Sequence, residues 1–439
     1  MSKHSFLYSN DQAGQYPPNS WYTATAHHLP PFPSLQNAET ADVCIIGAGY
    51  TGLSAALHLA QQGYKVIVLE AHRVGWGASG RNGGQVGHGL NQDQFELEKN
   101  FGNEMAHCLW DMTQEAVQLC HDLIKTYQID CDWQEGIIHA THRQRFVAEY
   151  QAYVEKLQRD YHYQAIQFLD KAVIRHEIGS EDFYGGILNK QSAHLHPLNY
   201  ALGLARAARQ AGVVIYENSP VKHYSNGQFV KIKTSQAQGE VTSQYLLLAC
   251  NGYLDGLNSK LAARAMPINN YMIATEPLSE TLAQELIRNR YAVADSRFVV
   301  NYFRLSADNR LLFGGGESYS PHFPKDIYAL VQPRLLKIYP QLKDVQLDYA
   351  WGGTLAITLN RLPNFSRLAP NVLSASGYSG HGVALASLAG KLMAEAVSGS
   401  AERFDIMAKL PSYPFPGGVL LRWPLLVLAM VYYSLRDRL

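Results

Sequence analysis

The feature that most constrains this chain is a short run near its amino terminus, Asp42-Val-Cys-Ile-Ile46 followed by Gly47-Ala-Gly49-Tyr-Thr-Gly52. The residues before the first glycine are apolar and β-branched, the pattern of a parallel strand buried on both faces. Leu53, Leu57 and Ala60 follow at helical spacing, and Gly63 is a natural helix stop. Lys65-Val-Ile-Val-Leu69 reads as a second strand ending on Glu70. A glycine triplet of this spacing also occurs by chance, but strand, helix and acidic residue together specify a Rossmann-type β-α-β unit. Gly47 permits the tight turn, Gly49 lets the backbone approach a pyrophosphate, and Gly52 lets helix and strand pack closely. With Ala48, Tyr50 and Thr51 they form a first cofactor-binding set, served by amide donors at the helix start. Glu70 is expected to accept hydrogen bonds from adenosine ribose hydroxyls, and its charge disfavours a 2′-phosphate.

A second element decides between a nicotinamide and a flavin dinucleotide. Gly75-Trp-Gly-Ala-Ser79-Gly-Arg81-Asn82-Gly83-Gly84-Gln85 places five glycines in positions 75–84, with polar side chains between them. A backbone that flexible cannot serve as core. Its amides, with Ser79, Arg81 and Asn82, suit a long ligand carrying both a diphosphate and a polar ring. Ala78, Gly80, Gly83, Gly84 and Gln85 complete this second set; a plain surface loop is the alternative. The third element is Gly377-Tyr378-Ser379-Gly380-His381-Gly382-Val383, again between a strand and a helix. Amides at that helix start can face a flavin carbonyl and stabilise negative charge on the reduced ring. His381 is expected to add charge there, against the commoner structural role of a lone histidine.

Elsewhere the periodicity predicts a long amphipathic helix through Met105, Leu109, Met112, Ala116, Leu119 and Leu123, and further helices over 150–157, 199–211 and 383–396. Strands are predicted over 213–216, 230–233, 245–249 and 372–375, and over 298–305 and 310–314 around a turn at Ala307-Asp-Asn309. The expected fold class is α/β plus antiparallel β, a Rossmann-type cofactor lobe interleaved with an antiparallel-sheet substrate lobe. Residues 1–40 are expected as an extended leader and residues 41–97, 185–255 and 362–412 as the cofactor-binding domain. Residues 98–184 and 256–361 are assigned to the substrate domain, and 413–439 to a hydrophobic C-terminal helix.

These motifs together resemble the D-amino-acid-oxidase-type (DAO) flavoprotein superfamily, which includes sarcosine and glycine oxidases. The whole-chain pattern is most similar to its gamma-glutamylputrescine oxidoreductase branch. That likeness rests on Ser20-Trp-Tyr, residues 77–85, Phe313-Gly-Gly-Gly316, Trp351-Gly-Gly-Thr354, residues 377–383 and the run from Phe415 to Pro424. The resemblance implies a glutathione-reductase-like fold with FAD as cofactor. Carried over by position, Val221 touches adenine through its backbone, Ala249, Asn251 and Gly252 pass near the diphosphate, and Ala71 and Arg73 accompany Glu70. Where some relatives bond the flavin covalently through cysteine or histidine, this chain has approximately Gly353 and Gly77, so FAD is expected to be non-covalent.

The implied reaction is oxidation of a carbon–nitrogen bond in a small amine or amino acid, with hydride passing to flavin N5. Hydrolysis of the imine then gives an aldehyde or keto acid plus ammonia, and hydrogen peroxide forms where O2 is the electron acceptor. The alternative is a D-amino-acid or glycine/sarcosine-type oxidase or dehydrogenase, including one that passes electrons to a membrane quinone. Arg304, flanked by Tyr302 and Phe303, is a candidate carboxylate anchor, with a solvated strand face as the competing reading. Trp351 and Tyr253 are candidate pocket walls, with core packing as theirs. A desolvated pocket that lowers the amine pKa can replace a dedicated base, so none is assigned.

Composition removes other classes. The 37 basic and 37 acidic residues cancel, which disfavours nucleic acid as a partner and a tRNA-modifying role. Five dispersed cysteines without a C-x-x-C pair argue against a disulfide framework or metal site and suit a reducing compartment. With a polar, proline-containing start and no signal-like segment, the expected location is cytoplasmic. The apolar run 423–433 is too short for a bilayer core of about 30 Å. It is read as docking on the protein or a partner subunit, with peripheral insertion at the inner membrane as the alternative.

Overall fold

Four hydrophobic residues in a row, Val43 to Ile46, have no polar face to offer water, and the chain buries them between other strands. The computed structural model describes residues 6–418 and Pro424, except positions 9, 236, 255 and 319. Strand Ala38–Ile46 pairs in parallel with Val66–Leu69 on one side and Glu240–Leu248 on the other. Among the described residues this first sheet has eight strands. Its path runs Asn364–Ala369, Val372–Ser376, Glu240–Leu248, Ala38–Ile46, Val66–Leu69, Val214–Tyr216. The hairpin Val221–Ser225 and Val230–Thr234 branches antiparallel from Glu240–Leu248.

Helices Tyr50–Gln61 and Gly382–Val397 pack together in the core of this lobe. They approach so closely that a Cβ on Gly390 would lie 2.4 Å from the Thr51 carbonyl oxygen. Helix Pro197–Gln210 joins them, its start set by Pro197 at the first turn and by His196, whose Nδ1 accepts from the Asn199 amide.

The second sheet has nine strands among the described residues, in the order Leu347–Ile357, Met266–Thr275, Leu311–Ser318, Tyr302–Leu305, Ala292–Asp295, Gln134–Thr141, Gly185–His194, Gln85–Val86. Ile166–Leu169 pairs with Gly185–His194. Pairing is antiparallel except between Ala292–Asp295 and Gln134–Thr141. Every residue of Met266–Thr275 is buried, because the cofactor lobe covers one face and helix Ile327–Ile338 packs on the other.

The two lobes are interleaved more finely than the expected boundaries. Residues 185–194, assigned to the cofactor domain, form a strand of the second sheet, and Gln85–Val86 joins the same sheet. Conversely, helix Asn103–Thr126, assigned to the substrate domain, lays Leu109, Met112, Ala116 and Leu123 into the core shared with Gly382–Val397. An apolar stripe states that a face is buried and leaves open against what. The leader contains a helical turn, Trp21–Ala24, with Trp21 and Tyr22 buried, and strand pairing already begins at Ala38. The predicted strand over 298–305 starts only at Tyr302. The expected C-terminal helix lies outside the described residues apart from its first positions and Pro424. Among the described residues no helix is long and apolar enough to cross a membrane.

Candidate active site

The first turn is shaped by what a side chain would strike. Gly47 sits at φ +106°, and a Cβ there would lie 2.7 Å from the Ala249 carbonyl oxygen. A Cβ on Gly52 would lie 1.9 Å from the Gly47 carbonyl oxygen. Helix Tyr50–Gln61 therefore starts hard against the strand, with Gly49 as an N-cap that offers no side chain. The Tyr50 amide donates to Ser79 Oγ at 3.1 Å, tying the first turn to the glycine-rich loop.

Glu70 is held from two sides. The Ala48 amide donates to Oε2 at 2.8 Å and the His72 amide to Oε1 at 3.0 Å. Burial nevertheless pushes its carboxyl up to about 7, so further hydroxyl donors would favour the charged form. Replacing Glu70 with Ala is expected to weaken FAD binding by about 1–3 kcal/mol, the scale for losing hydrogen bonds to a charged group. Titration of apoprotein with FAD measures this, and unchanged affinity would show that Glu70 does not hold the ribose.

In the glycine-rich loop, Ala78 and Ser79 line the cavity with Asn82. The Asn82 side chain also folds the loop, donating to the Ala78 and Ser79 carbonyls and accepting from the Gly84 amide. Arg81 does not face the cavity. Its buried guanidinium pairs with Asp11, donates to the Trp76 and Gly352 carbonyls, and lies 4.3 Å from the Trp76 ring centroid. Gly80 packs on the Gly75 carbonyl, Gly83 on the Tyr302 ring and Gly84 on the Leu195 carbonyl. The Gln85 amide group donates to the Val293 carbonyl. Arg73 is likewise taken, by an ion pair with Glu217 at 2.8 Å. The side chains of Arg73, Arg81 and Gln85 are thus engaged within the protein.

The third turn places Ser379 at φ +53°, a strained conformation for a residue with a side chain. It is held by the Ser379 amide donating to Ala356 and by Ser379 Oγ accepting from the Thr358 amide at 3.2 Å. The Gly377 amide donates to Asn251 Oδ1, joining this turn to the one after Glu240–Leu248. Helix Gly382–Val397 then starts without a side-chain cap.

One cavity of about 710 Å³ runs past all three turns. Its wall passes from Val221 through Glu70 and Ala71 to Gly47, Gly49, Tyr50 and Thr51, then along Ala249 and Asn251 to Ser379, Gly380, Gly382 and Val383. Ala48, Gly52, Gly252 and Gly377 adjoin wall residues in the chain without lining the cavity themselves. An elongated hollow with a carboxylate near one end and two uncapped helix starts along it fits a dinucleotide.

Among the predicted substrate-side residues, only Tyr253 lines that cavity, its hydroxyl accepting from the Thr354 amide at 3.2 Å. Trp351 is core: its ring meets Tyr22 edge-on and its indole N–H donates to the Arg81 carbonyl. Arg304 is 2% exposed and does not await a ligand. Its guanidinium donates to the carbonyls of Gly83 (3.0 Å), Leu195 (2.8 Å) and Leu305 (3.3 Å). The expected charge on His381 is disfavoured by its surroundings. Burial holds its imidazole below the usual histidine range, and the ring is hydrogen-bonded to the His88 backbone.

The structure also brings in residues that sequence reasoning missed. Leu7, Tyr8, Lys222 and His322 line the cavity, and no local pattern marks them. Trp76 and Tyr378 line it too, and an aromatic residue inside a glycine-rich turn was the available signal. The Tyr378 hydroxyl bonds Thr51 Oγ1 at 2.7 Å, linking the third turn to the first.

Comparison with known proteins agrees with this geometry. A family model described as FAD dependent oxidoreductase (DAO) matches residues 42–396. The chain is 45% identical to gamma-glutamylputrescine oxidoreductase of Escherichia coli (strain K12), over 96% of this chain and 98% of that protein. It is 42% identical to a probable oxidoreductase, OrdL, of Haemophilus influenzae, over 93% and 94%. Among solved structures, glycine oxidase from Geobacillus kaustophilus superposes with a TM-score of 0.68 at 18% identity, covering 82% of this chain and 95% of that one. L-proline dehydrogenase from P. horikoshii gives 0.66 at 20% identity, over 83% and 93%. These two likenesses speak to the fold. By family match and full-length similarity, the chain belongs to the FAD dependent oxidoreductase (DAO) family and is an FAD-dependent amine oxidoreductase.

Proposed function

We propose that this enzyme oxidises the primary amine of a gamma-glutamylputrescine-like substrate, giving an imine that water converts to an aldehyde and ammonia. The observation that carries this reading is the near-complete coverage at 45% identity with gamma-glutamylputrescine oxidoreductase. When bound, FAD supplies a two-electron acceptor for the hydride that leaves the carbon next to nitrogen. The chain's own residues bind and orient. Glu70 would hold the ribose, the Gly49–Thr51 turn the diphosphate, and the amides from Ser379 to Val383 the polar edge of the ring.

The substrate amine must be neutral to release hydride. Burial depresses the pKa of His88, His139 and His381, and a charge on His381 would lower the first two further. A desolvated surrounding favours the neutral form of an amine. Tyr253 and Leu355 wall the cavity.

The flavin is held without a covalent bond, because Gly77 and Gly353 have no side chain to form one. Acid precipitation is expected to leave a colourless pellet beneath a yellow supernatant, and a yellow pellet would refute non-covalent binding.

The test of function is anaerobic reduction of the bound flavin across a panel of amines. Gamma-glutamylputrescine is expected to exceed glycine and D-amino acids by at least about tenfold in kcat/KM, a difference readable as transition-state binding. The reverse order would transfer the protein to the glycine or D-amino-acid class. Hydrogen peroxide release in air separates O2 from a quinone as acceptor.

A further inference from the structure

Leu7 and Tyr8 of the leader line the cavity together with His322 of the substrate lobe. Both leader residues are seated by one imidazole. His72 is fully buried, two residues after Glu70, and its amide also donates to that carboxylate. The ring Nε2 is 2.7 Å from the Leu7 carbonyl oxygen, and Nδ1 accepts from the Gly14 amide at 3.0 Å. An amide can only donate, so Nδ1 is unprotonated and Nε2–H donates to Leu7. The Tyr8 ring meets the same imidazole edge-on, with centroids 5.4 Å apart. One neutral ring therefore fastens both legs of a short loop between Leu7 and Gly14. The return leg needs glycine, because Gly14 has φ +74° and a Cβ would lie 2.5 Å from Asn218 Oδ1. Just beyond it, the Trp76 indole donates to the Gln15 carbonyl at 2.7 Å and stacks on His72 at 3.9 Å. Asp11 pairs with the buried Arg81 guanidinium.

The tip of the loop reaches the other lobe. Asn10 Nδ2 donates to the Pro321 carbonyl at 3.0 Å, and its Oδ1 accepts from the Phe323 amide at 2.6 Å. Phe323 belongs to the connection between Leu311–Ser318 and helix Ile327–Ile338. Its ring meets Tyr271 of the second sheet edge-on, with centroids 5.4 Å apart. The loop thus leaves the cofactor lobe beside Glu70, touches the substrate lobe and returns, with the cavity along its inner side. Tyr8 is 38% exposed, so the loop is also the outer wall.

The two attachments differ in strength. On the cofactor lobe they are a charge-assisted pair and a buried imidazole, costly to break because each leaves a buried polar group stranded. On the substrate lobe they are two neutral hydrogen bonds of a half-buried side chain, which water can replace. The loop therefore opens first at Asn10 and stays rooted at His72. We propose that the leader is a clasp over the FAD cavity, latched by Asn10 onto residues 321–323, and that opening of this latch gates FAD uptake and release. A ligand held without a covalent bond is retained by its exit barrier, and a lid sets that barrier. This inference rests on the reading above that FAD lies in this cavity with its ribose at Glu70.

FAD itself is the probe. Flavin passing an ultrafiltration membrane after dilution of the holoenzyme reports release, and flavin retained after mixing with apoprotein reports uptake. Asn10→Ala should release FAD about tenfold faster, the scale for losing two neutral hydrogen bonds. Its apoprotein should take FAD up faster by the same factor, leaving Kd at the wild-type value. Asn10→Asp keeps the acceptor for Phe323 and loses the donor to Pro321, so it should speed both rates by a smaller factor. A latch acts in both directions, whereas a residue that only props the bound state changes release and affinity together. Unchanged rates, or faster release with weaker affinity, overturn the clasp. Weaker FAD affinity in Glu70→Ala beside unchanged rates in Asn10→Ala would overturn the clasp and leave the placement of FAD standing. Two-way acceleration in Asn10→Ala with affinity unchanged in Glu70→Ala would keep the clasp and remove Glu70 from the ribose.

Discussion

Gly52→Ala is expected to be purified without FAD and with a lowered melting temperature. The added Cβ would meet the Gly47 carbonyl oxygen at 1.9 Å and Ile45 Cγ2 at 3.3 Å. The first of these neighbours is backbone and cannot rotate away. Gly47 itself is fixed, since its amide donates to Leu69 at 2.9 Å and its Cα faces the Ala249 carbonyl. Helix Tyr50–Gln61 must then move off the strand, carrying the amides that would face the diphosphate. The loss should exceed about 3 kcal/mol, in the range of severe overpacking. Gly63→Ala is the control. Unlike Gly52 it has a positive φ, +86°, but open space around it, so a left-handed strain of about 1 kcal/mol applies there and no clash. The visible-to-ultraviolet absorbance ratio and a thermal melt report both quantities. A flavin-replete Gly52→Ala protein would show that this turn does not seat the cofactor.

Arg304→Met should unfold well below the wild-type melting temperature, by about 3–5 kcal/mol of stability, the cost of breaking a buried charged network. The guanidinium ties strand Tyr302–Leu305 to Gly83 in the cofactor loop and to Leu195 ahead of helix Pro197–Gln210. Its Cζ also lies 5.9 Å from the Tyr22 ring centroid, so the leader is fastened at the same point. Removing it orphans buried carbonyls in three separate segments. At a temperature where the variant is folded, its preference for gamma-glutamylputrescine over putrescine should match wild type. A selective loss of the former with stability unchanged would restore Arg304 as a substrate anchor.

What the sequence by itself determined was local backbone geometry. The glycine turns at 47–52, 75–85 and 377–383 were legible because the absence of a Cβ acts where it stands. Strand, turn and helix there are consecutive in the chain, and Glu70 follows from the strand end. Gly390, by contrast, looked like any glycine in a helix until Thr51 was seen against it. The directions of Arg73, Arg81 and Arg304 were decided only by the tertiary structure. A long cation in a polar loop or on a strand has the same local pattern whether it reaches a ligand or a buried carbonyl, and here Glu217, Asp11 and Leu195 claimed the three. Met266–Thr275 went unpredicted because Pro267, Asn269 and Asn270 break its apolar run, leaving neither alternation nor a continuous hydrophobic stretch to mark a strand buried on both faces.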